Sequence, residues 1–375
     1  MSASPDFLQI LKLQHPIIQA PLAGGGDTPE LVAAVSNAGG LGFIGAGYLS
    51  PEQIAQAARN VKSKTTRPFG INLFAPSAPA SLSISPDAAI RRVAPYFSEL
   101  GLPAPSIPAG PIFSFTEQLG AALETGASVF SFTFGLLPSG AIQALKQKKI
   151  FVMGTATTVN EAIELEKTGV DAVVAQGSEA GGHRGTFQGD FSAAMIGTIS
   201  LVPQVVDAVR VPVIASGGIM DGRGIAAALA LGASAVQLGT AFLTCTESGV
   251  PDAYREAILN AMEDQTRITR AFSGRPARGI VNRFMTEVES GGDQAAILPF
   301  PLQNALTRPL RTAAAKSGRA EFLSLWAGQG VRLARRQSAA ELMVRLVEET
   351  GSAIRQLPGV RSYESVRTKS GAATN

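Results

Sequence analysis

The chain has one cysteine, Cys245, among 375 residues, which excludes an intramolecular disulfide and a thiolate metal cluster. It has two histidines, His15 and His183, too few for a histidine-based metal site. Charge of either sign is sparse at 16%, and the formal net charge is only +3. The densest basic cluster is Arg332, Arg335 and Arg336, with Arg345 further on, spaced as a solvated helix face. A nucleic-acid partner is therefore not expected. No apolar run approaches the ~20 residues that a membrane-spanning helix requires, so no membrane partner is expected. The N-terminus, MSASPDFLQILKLQHP, lacks the basic-then-apolar layout of a secretory signal. A cytoplasmic location is expected. Oligomeric state is left open, and a homo-oligomer is compatible with the sequence.

Aromatics make up only 6%, whereas glycine is abundant at 40 residues and hydrophobic residues reach 45%. That balance suits a large core of Val, Ile, Leu and Ala, with glycine-rich loops. Short apolar runs alternate with helix-type segments. Strands are expected at residues 17–19, 41–44, 69–73, 129–132, 150–153, 172–175, 212–215 and 235–238. Most are uniformly apolar, the pattern of parallel strands covered on both faces. Helices are expected at 28–37, from Ser50 with Pro51 in the first position, at 158–168 and at 222–231. Eight strands with helices between them point to an α/β fold, a TIM (β/α)8 barrel with a smaller, mainly helical second domain. An open doubly wound sheet is the alternative, but no G-x-G-x-x-G turn opens a helix after the first strand.

Residues 1–250 are expected to form the barrel, with an insertion at 76–111 that holds a helix near 86–100. Residues 251–338 are expected to form the helical lobe over the barrel mouth, with loops at 272–279 and 291–301. A helix within 339–360 should return to the barrel, and 361–375 should form a frayed tail.

Barrel enzymes place their sites on the loops that follow the strands, often with a phosphate after strands seven and eight. Strand seven here runs into Ser216, Gly217 and Gly218, and strand eight into Gly239 and Thr240. Glycines let backbone N–H groups approach anionic oxygens, and a helix N-terminus near Gly222 would add to the attraction. The rest of the rim is neutral. Ala20, Pro21 and Leu22 follow strand one, Asn72 ends strand three and Gln176 follows strand six. Such groups suit a flavin ring.

The strand-six loop reads QGSEAGGHRGTF, residues 176–187. Gly181 and Gly182 allow a turn that aims His183 inward, where imidazole can move a proton or hold an anion. Glu179 and Arg184 are expected to pair and brace this loop. His15 lies before strand one and reads as structural, and Cys245 as a buried apolar residue.

QGSEAGGHRGTF (176–187), SGGIMDGRGIAAALALGASAVQLGTAFL (216–243), QAPLAGG (19–25) and INLF (71–74) resemble the nitronate monooxygenase family, class I type, formerly called 2-nitropropane dioxygenases. SGRPARGIVNRF (273–284) and LWAGQGVRLAR (325–335) extend the similarity, which runs from about Ile10 to Thr350. The resemblance implies an FMN-binding barrel. FMN would contact Asn72, Gln176, Gly181, Gly218, Gln237, Leu238, Gly239 and Thr240, and the active-site histidine falls on His183. It also implies oxidation of alkyl nitronates, such as propionate 3-nitronate, with O2 to a carbonyl compound and nitrite, through an anionic flavin semiquinone. In the lobe, Phe300 and Gln303 are the expected substrate contacts. The stretch around them lacks a lysine, which counts against a carboxylate-bearing substrate. Three other readings remain. An NAD(P)H-dependent FMN reductase for quinones or enoyl thioesters would show the same histidine loop. A nucleotide dehydrogenase would need a cysteine in residues 176–187, and none is there. A flavin- or phosphate-binding protein without activity would not need His183.

Overall fold

A computed structural model describes residues 7–76, 86–107, 113–290 and 296–356. Each of the eight expected stretches forms a strand: Ile17–Gln19, Gly42–Gly45, Phe69–Phe74, Val129–Thr133, Phe151–Ala156, Ala172–Gln176, Val213–Ser216 and Ala235–Leu238. They run parallel in one sheet. The first strand pairs with the eighth through Ile17 and Val236. On its other side Ile18 bridges Leu41, just ahead of the second strand. The sheet thus nearly closes on itself as a TIM barrel.

Successive residues of a strand face opposite sides of the sheet, and here both sides are apolar. Ile18, Phe43, Met153, Val174 and Ile214 join one buried cluster with Phe7 and Leu11 of the N-terminal helix. Their neighbours Ile17, Ile44, Val152, Val173 and Val213 belong to the larger core that includes the surrounding helices. This two-sided burial is why the strands read as continuous apolar runs.

The helix starts follow from local chemistry. Thr28 accepts a hydrogen bond from the Leu31 N–H and opens Pro29–Asn37. Ser50 and Gln53 form a reciprocal capping box at Pro51–Lys62, with Pro51 at the first position. Each cap of this kind is worth about 1 kcal/mol. Helix Ala339–Arg355 packs against Gly222–Ala230 and Pro29–Asn37, and so returns to the barrel.

A second apolar core forms beside the barrel mouth. It brings together Val93 and Phe97 of helix Pro86–Glu99 with Phe272, Phe284, Leu306, Leu310 and Phe322. The helix inside the expected insertion therefore packs with the later residues of the chain. Two features differ from expectation. Thr266–Thr269, Ala277–Ile280 and the two-residue strand Gly182–His183 form an antiparallel sheet. The run TRIT is short and mostly polar, which hid its strand character, and the expected loop at 272–279 runs into a strand at Ala277. Parts of the insertion (77–85 and 108–111), part of the loop at 291–301 (291–295) and the tail (361–375) lie outside the described residues. No described helix is long and apolar enough to cross a membrane.

Candidate active site

A cavity of about 600 Å³ opens at the C-terminal ends of the strands, between the barrel and the lobe. Ala20, Pro21, Leu22, Asn72, Gln176, Gly181, Gly182, His183, Ser216, Gly217, Gly218, Gln237, Gly239 and Thr240 all line it. Three expected contacts are placed elsewhere. The Leu238 side chain is buried in the core, and its carbonyl accepts the Ala20 N–H at 2.8 Å. It anchors the loop after strand one. Gln303 is 1% exposed; its Nε2 donates to the Ala271 carbonyl at 2.8 Å and its Oε1 accepts from Leu298 N–H at 3.1 Å. That corrects the substrate role expected for it: the amide ties two backbone groups together inside the lobe. Phe300 stands behind the wall, its ring 5.9 Å from that of His183 and 5.7 Å from that of Phe134.

The histidine loop is held mainly by arginines and by the Gln176 amide. Gln176 Nε2 donates to the His183 carbonyl at 3.0 Å, and its Oε1 accepts from Gly185 N–H at 2.8 Å. Its carbonyl and one amide hydrogen thus shape the loop. Arg184, 1% exposed, donates to the carbonyls of Gly177, Gln176 and Ala194. Glu179 does not pair with it. Its carboxylate takes the Thr198 N–H and hydroxyl, each at 2.9 Å. Both residues brace the loop, but to different partners: the Arg184 NH groups donate to three carbonyls, while its Nε finds no partner among the described residues. Arg275 donates to the carbonyls of Arg184 and Thr186, and Arg278 to that of Ser178. Gly182 adopts φ +74°, and a Cβ on Gly181 would sit 2.5 Å from the Gly328 nitrogen. The two glycines serve different needs: one a left-handed backbone, the other a close approach.

His183 is half-buried, with its ring 5.5 Å from Trp326 and 5.7 Å from Phe134. Its Nε2 lies 2.8 Å from Ser273 Oγ. Burial, together with the nearby cations Arg275 and Arg311, pushes the imidazole down to about 3. That direction favours the neutral imidazole at physiological pH.

Gly217 and Gly218 take φ +123° and +69°, so the loop after strand seven presents backbone to the cavity. The following helix offers less than expected. Asp221 caps Gly222–Ala230 and accepts from the N–H groups of Arg223 and Gly224. An anion here depends on the glycine loop, since the helix terminus is already occupied by a carboxylate.

The opposite wall is basic. Helix Leu302–Ser317 contains no Asp or Glu and places Arg308, Arg311 and Lys316 on the cavity. Arg311 donates to the backbone and side-chain oxygens of Asn304, and Arg308 lies over the Tyr48 ring at 6.0 Å. Among the described residues, no aspartate or glutamate lines the cavity. Tyr48, Phe74, Phe134, Tyr254, Trp326 and these cations are lining residues that sequence reasoning missed. The acid-free run from Pro301 to Ala320 was a usable signal; the aromatics carried none.

Asp27 ties the strand-one loop to the barrel. Its carboxylate accepts from the N–H groups of Leu22 and Gly45. Burial outweighs these bonds and raises its carboxyl from 3.8 to about 6. A folded value above the unfolded one means stability present below pH ~4 and lost as pH rises through ~6. Asp27→Asn removes the charge and keeps an acceptor. The variant should exceed the parent in stability at pH 8 by up to about 3 kcal/mol. Urea midpoints at pH 4, 6 and 8 check this; an advantage that grows toward pH 4 would contradict it.

A family model for nitronate monooxygenase matches residues 5–349. A probable nitronate monooxygenase of Staphylococcus haemolyticus is 45% identical over 346 residues, covering 92% of this chain and 96% of that one. A Staphylococcus aureus protein of the same description is 45% identical over 343 residues, covering 91% and 96%. Among solved structures, a nitroalkane oxidase from Streptomyces ansochromogenes superposes with TM-score 0.87 at 41% identity, covering 93% of this chain and 99% of that one. FabK from Thermotoga maritima superposes with TM-score 0.73 at 31% identity, covering 94% and 97%.

Proposed function

This chain belongs to the nitronate monooxygenase family of oxidoreductases, and from that premise we propose that it is an FMN-dependent enzyme oxidising anionic alkyl nitronates with O2 to a carbonyl compound and nitrite. One observation carries the substrate reading: among the described residues the cavity is lined by three cationic side chains, several neutral amides and no carboxylate. A nitronate is an anion, and a low-dielectric site without competing acids favours it.

The residues fit FMN. Gly217 and Gly218, both at positive φ, and Gly239 and Thr240 in the loop after strand eight would hold the phosphate. Asn72 and Gln237 would serve the ring carbonyls and ring N–H, beside Ala20, Pro21 and Leu22. Gln176 contributes less to the ring than its position suggests, because its amide already holds the His183 loop. When bound, FMN supplies the acceptor that takes an electron from the substrate and passes it to O2.

The chain's own residues act around that chemistry. Arg308 and Arg311 draw in the anion, and their place on the basic helix makes a second, carboxylate group acceptable on the substrate. Propionate 3-nitronate, with both groups, is the best-matched member of the class. His183, neutral and in the cavity wall, serves as a base when the substrate arrives as the protonated nitroalkane, taking the proton from the carbon that bears the nitro group. The aromatic wall of Phe74, Phe134 and Trp326 keeps water from the reacting carbon.

The likeness to FabK favours a second reading, an NAD(P)H-dependent FMN reductase on the same barrel. It rests on lower identity than the nitronate monooxygenase reading. Nitrite release from propionate 3-nitronate, on protein whose extracted flavin is identified, tests the proposal. Nitrite is expected in the presence of O2 and not in its absence, and the flavin is expected to be FMN.

A further inference from the structure

The hydroxyl of Ser273 meets three groups. It lies 2.8 Å from His183 Nε2 and 3.1 Å from the Arg275 carbonyl, and the Arg275 N–H reaches it at 3.3 Å. A hydroxyl has one proton and two lone pairs. The Arg275 N–H takes one lone pair, so a single choice remains: the proton goes to the Arg275 carbonyl or to His183. If it goes to the carbonyl, the second lone pair accepts Nε2–H and all three neighbours are satisfied. If it goes to His183, the carbonyl is left without this partner, and no other hydrogen bond to it is seen among the described residues. Leaving a half-buried carbonyl unpaired is the more costly arrangement. The serine-to-carbonyl contact spans two residues, a common local turn.

We propose that Ser273 is a positioning residue that presets the tautomer of His183: its hydroxyl donates to the Arg275 carbonyl, its oxygen accepts Nε2–H, and the unprotonated Nδ1 is left as the ring's proton acceptor. Among the described residues Nδ1 has no hydrogen-bond partner, and the ring lines the cavity. Phe134, Phe300 and Trp326 pack around the ring and oppose its reorientation. The strand-six loop and the Ser273 turn are held together by pairing of His183 with Ala277, and by Arg275, which reaches back to the carbonyls of Arg184 and Thr186. The same arginine segment that clamps the loop thus also fixes which nitrogen carries the proton. A proton removed from substrate carbon would go to Nδ1 as its C–H bond breaks, leaving the electron pair on the nitronate and a transient imidazolium whose Nε2–H is held by Ser273.

This inference rests on the reading of His183 as a base, but its test does not require substrate. With only two histidines, ¹⁵N-histidine-labelled holoenzyme gives two imidazoles, and His15→Gln assigns them. The wild-type His183 ring is expected to show a protonated Nε2 and a pyridine-type Nδ1. Ser273→Ala should shift the ring toward the Nδ1–H form, and Ser273→Thr should restore the wild-type spectrum. In kinetics, Ser273→Ala should lower kcat on a neutral nitroalkane at least about tenfold more than on its nitronate, with rescue by threonine. A protonated Nδ1 in the wild-type ring would overturn the proposal, whatever the variants do. So would an unchanged tautomer in a folded Ser273→Ala protein. If Nε2–H is observed but His183→Asn retains nitroalkane turnover, the base assignment fails and the role of Ser273 stands.

Discussion

His183→Asn is expected to lower turnover of a neutral nitroalkane by about 100-fold, the low end of the usual scale for a positioned base, because the burial and cations that keep the ring neutral also weaken it as a base. The loss should be far smaller, within about tenfold, when the preformed nitronate is supplied. The reason is that the imidazole is neutral: burial and the cations Arg275 and Arg311 bring it down to about 3. A neutral ring whose Nε2–H is directed to Ser273 can accept a proton, but it has no second N–H to offer an anion. The nitronate has already lost the proton that the base would remove. The same value fixes the pH dependence. In the free enzyme His183 protonates only as pH falls toward ~3, so kcat/KM for a nitroalkane should show no acidic limb between pH 5 and 8. Steady-state rates with the two substrate forms, measured across that range, check both statements. Equal losses on both forms would place His183 in anion binding instead.

Arg311→Met is expected to cost about 100-fold in kcat/KM for a carboxylate-bearing nitronate, mostly through KM. Removing one partner of a desolvated charge pair costs 2–5 kcal/mol as a rule, and about 2.7 kcal/mol corresponds to that 100-fold. Arg311 is half-buried and bonded to Asn304, so its position is fixed before substrate arrives. Burial also lowers its own affinity for protons, to about 10, yet it stays charged at neutral pH. Arg308 is exposed and screened, and its replacement should cost less. A nitronate without the carboxylate should lose several-fold less than the dianion in Arg311→Met. A uniform loss over both substrates would mean that Arg311 holds the reacting group itself.

How much of this was legible in the sequence depends on whether the signal was local. The barrel was legible because parallel strands buried on both faces read as apolar runs, as with Val213–Ser216 and Ala172–Gln176. The glycine turns and His183 were legible because each marks its own loop. What was hidden depended on residues distant in the chain. Ser273 meets His183 from 90 positions away, and nothing within 176–187 announces it. Arg308 and Arg311 face the cavity because a helix from the lobe covers it, and a basic helix alone reads as a surface. Gln303 was misplaced for a related reason: a polar residue at a helix start resembles a site residue, until the backbone groups of Ala271 and Leu298 claim its amide. Glu179 and Arg184 stand near each other in the chain with opposite charges, yet folding gave each a different partner.

The electron source proposed for this site is an anionic nitronate and not a nicotinamide. Anaerobic mixing of the holoenzyme with propionate 3-nitronate, and separately with NADH and NADPH, tests it most directly by flavin absorbance. Rapid loss of the oxidised-flavin band is expected with the nitronate, and no change with either nicotinamide. Rapid bleaching by NADH or NADPH, with none by the nitronate, would contradict it.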